Sequence, residues 1–314
     1  MTALGTAPAP AGPGRPSGPG PGRPGGLVRT VARTHRTALA LTLVALATAT
    51  AALIWLHSLG DEARAGNSAC ATPPTDRLPS CAAVEAITVD ETYASGLAVI
   101  ATVLSWVMFP AAAWAGGALI GRELESGTAE LAWTQSVTPA RWLAAKLGAP
   151  AALLTAGTGV LVPVNVWARG DGNPNLTGDW YYPDVFVSTG PVAVAHALAG
   201  LALGALAGLV WRRALPAAGV GLAASLLLHS LLERHREDLW PPVTRTEAGS
   251  FELPRSALQV AWSDSPRHGV PLTRADFHPE SHFWPLQYVE SGLLLVVAAT
   301  ATAAAFVLLA RRLP

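Results

Sequence analysis

The sequence predicts an all-α integral membrane protein of six transmembrane helices, and three observations carry that prediction. Charged residues occupy 13% of the 314 positions, against ~25% in soluble proteins. Six windows free of Asp, Glu, Lys and Arg each reach the ~18 residues expected of a membrane-spanning helix. Among the short connections between these windows, basic residues favour every second one, as they do when those face the cytoplasm; the long segment after Leu232 holds most of the outer arginines, where the rule counts least. Water is absent from the bilayer core, so each backbone group must pair within its own segment, which makes the windows helices. Net charge is zero, which leaves no global basic field for nucleic acid.

Residues 1–30 read as a disordered cytoplasmic tail, followed by one membrane domain over 31–314. The first 26 residues are almost entirely Gly, Pro, Ala, Arg, Thr and Ser, too little apolar surface to offset chain entropy. Arg29, Arg33 and Arg36 then precede the first window, 37–60. A secretory signal is the alternative there, because Ala63-Arg64-Ala65 has a small-x-small pattern. The apolar run exceeds the ~7–15 residues of a signal core, and its leader is too long.

The first outer loop, 61–91, holds both cysteines, Cys70 and Cys81. An oxidising exterior favours a disulfide between them, with two free thiols as the alternative. The second window, 92–121, contains Pro110 and ends with Gly117 and Gly121. Glycines four apart give a smooth face for close helix packing. Gly200, Gly204 and Gly208 repeat that spacing in the fourth window, 185–211.

Between the second and third windows lies a cytoplasmic amphipathic loop, 121–146. Leu124, Leu131, Trp142 and Leu143 supply apolar contacts, and Glu123, Glu125, Glu130 and Arg141 stay polar. Thr138-Pro139 reads as a helix start, with threonine as N-cap and proline in the first turn. The third window is 147–168, and the outer loop 169–184 carries turn residues and aromatics suited to an interfacial cap. The fifth window, 214–232, forms a hairpin with the fourth through Arg212-Arg213. An extracellular segment, 233–290, follows; its prolines argue against a continuous helix, and it is too short to be an enzyme domain with its own core. The sixth window is 291–310.

With the N-terminus inside, cytoplasmic segments hold 12 basic and three acidic residues, and outer segments hold nine basic and 18 acidic. Both termini are therefore expected in the cytoplasm, with the chain multi-pass in the plasma membrane and in contact with its lipid.

No catalytic constellation, cofactor site or metal site is assigned. A P-loop requires Gly-x4-Gly-Lys-Ser/Thr, and the only lysine, Lys146, stands in Ala145-Lys146-Leu147. Any ATP used would be hydrolysed on a separate chain. His278-Pro279-Glu280-Ser281-His282 invites a zinc reading, but the spacing is not His-Glu-x-x-His and Pro279 opposes a ligand-bearing helix. His196 and His229 fall inside windows, where an ionisable group serves transport or bonds a neighbouring helix.

Glu123-Leu124-Glu125-Ser126-Gly127-Thr128, then Leu131, Trp133-Thr134-Gln135-Ser136-Val137-Thr138, Arg141-Trp142-Leu143 and Lys146, resemble the signature of ABC-2 type transporter permeases. The form is similar to that of actinobacterial membrane subunits. Phe277-His278-Pro279-Glu280-Ser281-His282-Phe283-Trp284-Pro285-Leu286-Gln287-Tyr288-Val289-Glu290 resembles a second motif of those permeases, before a membrane helix. The resemblance implies the permease subunit of an ATP-driven exporter, paired with a copy of itself or a related permease. A separate ABC ATPase subunit would dock on the loop 121–146, through Glu123, Glu125, Gly127, Thr128 and Arg141. The alternative function is a non-transport membrane protein whose outer segment binds or senses a ligand.

Overall fold

The computed structural model describes residues 36–68, 75–77, 80, 88–135, 137–170, 173–267 and 270–311. The tail 1–30 and both cysteines lie outside the described residues. Among the described residues, five helices are long and apolar enough to cross a membrane, and a bent pair, taken as one span, makes six.

The first span is α1 (Arg36–Ser68), which runs past the charge-free window. Arg64 reaches back to Asp61 at 2.5 Å, one turn away, so the charges at this end sit on the helix surface. The second span is α2 (Thr88–Trp106) and a run Met108–Glu125 bent from it by 40°, which opens with α3 (Met108–Trp114). Pro110 lacks the N–H that would bond the Trp106 carbonyl, which accounts for a break here. A π-helical stretch, Ala115–Gly121, continues from α3. Its wider turn ends where Arg122 N–H bonds Gly117 O, five residues back. Two short helices, α4 (Arg122–Glu125) and α5 (Thr128–Thr134), form the loop. The third span is α6 (Pro139–Ala168).

Two short helices at the opposite end, α7 (Pro174–Thr177) and α8 (Pro183–Ser188), precede the fourth span, α9 (Val192–Trp211). The window 185–211 therefore divides between two helices. Its break holds Gly190 and Pro191, and Gln287 fills the gap. The Gln287 amide donates to Phe186 O at 2.5 Å and accepts from Val192 N–H at 3.3 Å. A Cβ on Gly190 would lie 2.2 Å from that side chain.

The fifth span, α10 (Ala214–His235), passes into a 3-10 turn at Arg236–Leu239. The sixth, α11 (Phe283–Arg311), begins eight positions before its charge-free window. Glu290 excluded those positions from the window, but it is buried against Arg236, with Nε–Oε2 at 2.8 Å. Pairing makes the burial of both charges tolerable.

Between these spans the chain forms a three-stranded antiparallel sheet, an addition to an otherwise helical membrane protein. The strands are β1 (Val243–Ala248), β2 (Leu258–Arg267) and β3 (Val270–His278), in the order β1-β3-β2. A bulge between Gln259 and Ala261 shifts the β2–β3 register. The Trp180 indole donates to Ser256 O at 2.6 Å, fastening the sheet's approach loop over the spans. His278 is buried, and its Nε2 lies 2.9 Å from Glu237 O. A carbonyl requires a donor, so Nε2 carries the proton and Nδ1 accepts from His282 Nδ1–H at 2.9 Å. Among the described residues no three His, Cys, Asp or Glu side chains gather as metal ligands.

The fourth span is central, packed by α3, the π-helical stretch, α6, α10 and α11. Glycine permits these approaches. A Cβ on Gly200 would lie 2.3 Å from Met108 O, on Gly204 2.1 Å from Ala112 O, and on Gly208 2.7 Å from Ile120 Cβ. One on Gly121 would lie 2.5 Å from Gly116 O, and one on Gly117 3.1 Å from Ala218 Cβ. Their smooth faces meet inside the chain.

Candidate functional site

The loop 121–146 closes over one end of the bundle, opposite the sheet. Arg122 continues directly from the π-helical stretch, so α4 inherits the direction of the second span. Gly127 then takes φ 72°, a left-handed conformation that glycine adopts without a Cβ penalty. That reversal brings Thr128 back over α4, where its hydroxyl donates to Glu123 O at 3.2 Å and meets Ser126 Oγ at 3.0 Å. Thr138 caps α6 by accepting from Arg141 N–H at 3.4 Å, with Pro139 in the first turn. Arg141 is exposed on that same turn.

Three carboxylates bind the loop to separate parts of the bundle. Glu123 accepts from the Lys146 ammonium and, at 3.2 Å, from the Trp142 indole. Lys146 is only 4% exposed, so this partner offsets a desolvated charge. Glu125 accepts from Ala214 N–H at 2.9 Å. The first amides of a helix lack intrahelical acceptors, so this carboxylate caps the fifth span from another part of the chain. Glu130 pairs with Arg212 at 2.6 Å, in the turn between the fourth and fifth spans. Arg212 has φ 53°, which ends the fourth helix and lets the chain reverse.

Apolar contacts support these ties. Leu124, Ala129, Trp142 and Leu143 are buried in one cluster with Leu119 and Ile120 of the π-helical stretch and Leu209 of the fourth span. Trp133 packs edge-on against Trp142, ring centroids 5.6 Å apart. Leu131 instead faces outward, 59% exposed. The surface left to a partner therefore includes Arg122, Thr128, Leu131 and Arg141.

Of the residues singled out from sequence, Glu123, Gly127 and Thr128 come together in one turn, and Glu125 leaves it for the fifth span. Sequence reasoning placed Trp142 among the apolar contacts, where it lies, but missed its hydrogen bond to Glu123 and the ion-pair roles of Lys146, Glu130 and Arg212. One signal was available for Lys146: the only lysine in the chain stands at the start of an apolar window.

Near the opposite end, His196 is buried, and its ring lies 5.4 Å from that of His229. Arg236 stacks over Phe186 at 4.3 Å while it binds Glu290. These groups join the fourth, fifth and sixth spans under the sheet.

A family model described as ABC-2 membrane transporter related matches residues 37–236. The match takes in the first five spans and the whole loop; the sheet, the last span and the resemblance at 277–290 lie beyond it. No curated protein and no solved structure matches the chain.

Proposed function

From a chain that belongs to the ABC-2 membrane transporter related family, and is a transporter permease in that general sense, we propose a specific reading: the membrane subunit of an ATP-driven exporter, coupled to a separate ATPase through the loop 121–146. The observation that carries it is the loop's three-way attachment, Glu123 to Lys146, Glu125 to Ala214 N–H and Glu130 to Arg212. A partner pressing on the exposed face moves the ends of four spans at once. The load reaches the second span just beyond its π-helical stretch and its 40° bend. Helix breaks and π-turns are where a span changes shape at least cost.

In this reading Glu123, Glu125 and Gly127 give the loop its shape. Thr128, Leu131 and Arg141 form the contact, with Leu131 as its apolar anchor. Two such subunits, identical or related, enclose the pathway in the plasma membrane, with the loop and both termini in the cytoplasm. The arginine asymmetry supports that orientation.

The test is co-expression with candidate P-loop ATPases and retention on the tagged permease in mild detergent. Wild type should retain one, and Leu131→Asp with Arg141→Glu should lose roughly tenfold or more, the loss of an apolar anchor and a charge. Full retention by that variant removes the loop from the coupling path. Failure of any ATPase to bind the wild type overturns the ATP-driven exporter reading.

A further inference from the structure

Arg169 follows the last residue of the third span and is only 6% exposed. Its Nη1 donates to Thr177 O at 2.5 Å, and its Nε has no hydrogen-bond partner. Among the described residues no carboxylate lies within ion-pair distance of it. Burial lowers its pKa to about 10, which still leaves a full positive charge at neutral pH. A desolvated guanidinium held by one neutral carbonyl is an unfavourable arrangement unless an anion completes it.

The side chain lines a cleft of about 420 Å³ at the sheet end of the bundle. Ala94, Ala98 and Ala101 of the second span form one wall, with Leu176 and Val185 from the outer loop also lining it. These apolar surfaces suit a hydrocarbon chain. Asp184 also lines the cleft; its Oδ2 accepts from Thr102 at 2.7 Å. A carboxylate there disfavours a second negative charge on the ligand. Tyr93, which also faces Arg169, donates its hydroxyl to Ala168 O at 2.8 Å, and Tyr182 lines the cleft as well.

We propose that this cleft binds a singly anionic head group, a phosphate ester or carboxylate, carried on an apolar chain. The proposal does not depend on the ATPase reading. Its source is either a bilayer lipid or a free amphiphile, and the probes separate them.

Full-length protein is delipidated in neutral detergent and exposed to phosphatidylglycerol, to the diacylglycerol of the same chains, and to dodecanoate, a singly anionic free amphiphile. Native mass spectrometry reads retention. Phosphatidylglycerol should be retained roughly tenfold over diacylglycerol, as one charge-assisted hydrogen bond provides. Arg169→Gln should lose that preference and Arg169→Lys should keep it. Ala98→Trp, at an exposed wall position, adds bulk to the cleft while keeping the Arg169 guanidinium and should lower retention even if Arg169→Gln does not fold. Competition by dodecanoate marks a site open to free amphiphiles; its failure beside phosphatidylglycerol binding marks a bilayer-lipid site. Equal phosphatidylglycerol retention by wild type and the folded variants overturns the proposal.

Discussion

Glu123 accepts hydrogen bonds from Lys146 and Trp142 at once, joining the end of the second span to the start of the third. Lys146 is buried and the Glu123 side chain is 21% exposed. Removing one partner of such a pair leaves an uncompensated charge, at a cost on the order of 3 kcal/mol. Glu123→Gln should therefore lower the thermal unfolding midpoint in detergent by several degrees. The double variant Glu123→Gln, Lys146→Met should recover most of it, because no buried charge remains. A midpoint unchanged in Glu123→Gln would show that the pair contributes nothing.

Gly204→Ala should disrupt the bundle. Its Cβ would meet Ala112 O at 2.1 Å, a backbone contact with no flexible side chain to give way. Overpacking of this kind costs roughly 1–3 kcal/mol or more. Gly219→Ala is the control, since a Cβ there meets nothing within 4 Å and alanine gains about 1 kcal/mol in helix propensity. Size-exclusion recovery should fall for the first and hold for the second; equal recovery contradicts the close approach.

The sheet should weaken in acid through Asp276. Its carboxyl is held below the ordinary aspartate value of about 3.8, first by the hydrogen bond from Thr244 and then by Arg274. A depressed folded pKa means the unfolded chain binds the proton more readily. The contribution is present above about pH 4 and is lost as pH falls through the lower folded value. Amide exchange in β1 and β3 should accelerate over that range, and Thr244→Val should flatten the dependence. An identical profile in the variant would remove Asp276 as the cause.

Orientation is open to a direct test. Reporter fusions after Lys146 and Arg213 should report the cytoplasm, and fusions after Ala65, Asp179 and Ser265 the exterior. An exported Lys146 fusion would invert the bundle and place the loop beyond the reach of any ATPase.

Much of this fold is legible in local sequence. Absence of charge over about 20 residues marks a span whatever surrounds it, because each helix satisfies its own backbone. Thr138-Pro139 marks the start of α6 and Pro110 the break in the second span, both through backbone chemistry confined to a few residues. The β-sheet was less visible: 233–290 announces with its prolines only that it is not one helix, and its strand order depends on pairing between distant segments.

Sequence by itself determined where the chain can cross a membrane, though not how far each helix runs past its charge-free window. Only the tertiary structure decided what the charges between them do. Glu125 meets Ala214, Glu130 meets Arg212 and Glu290 meets Arg236 across 89, 82 and 54 positions. Hydrophobicity and backbone preference are properties of neighbouring residues. The partner of a charge is set by which helix ends the packed glycines bring together.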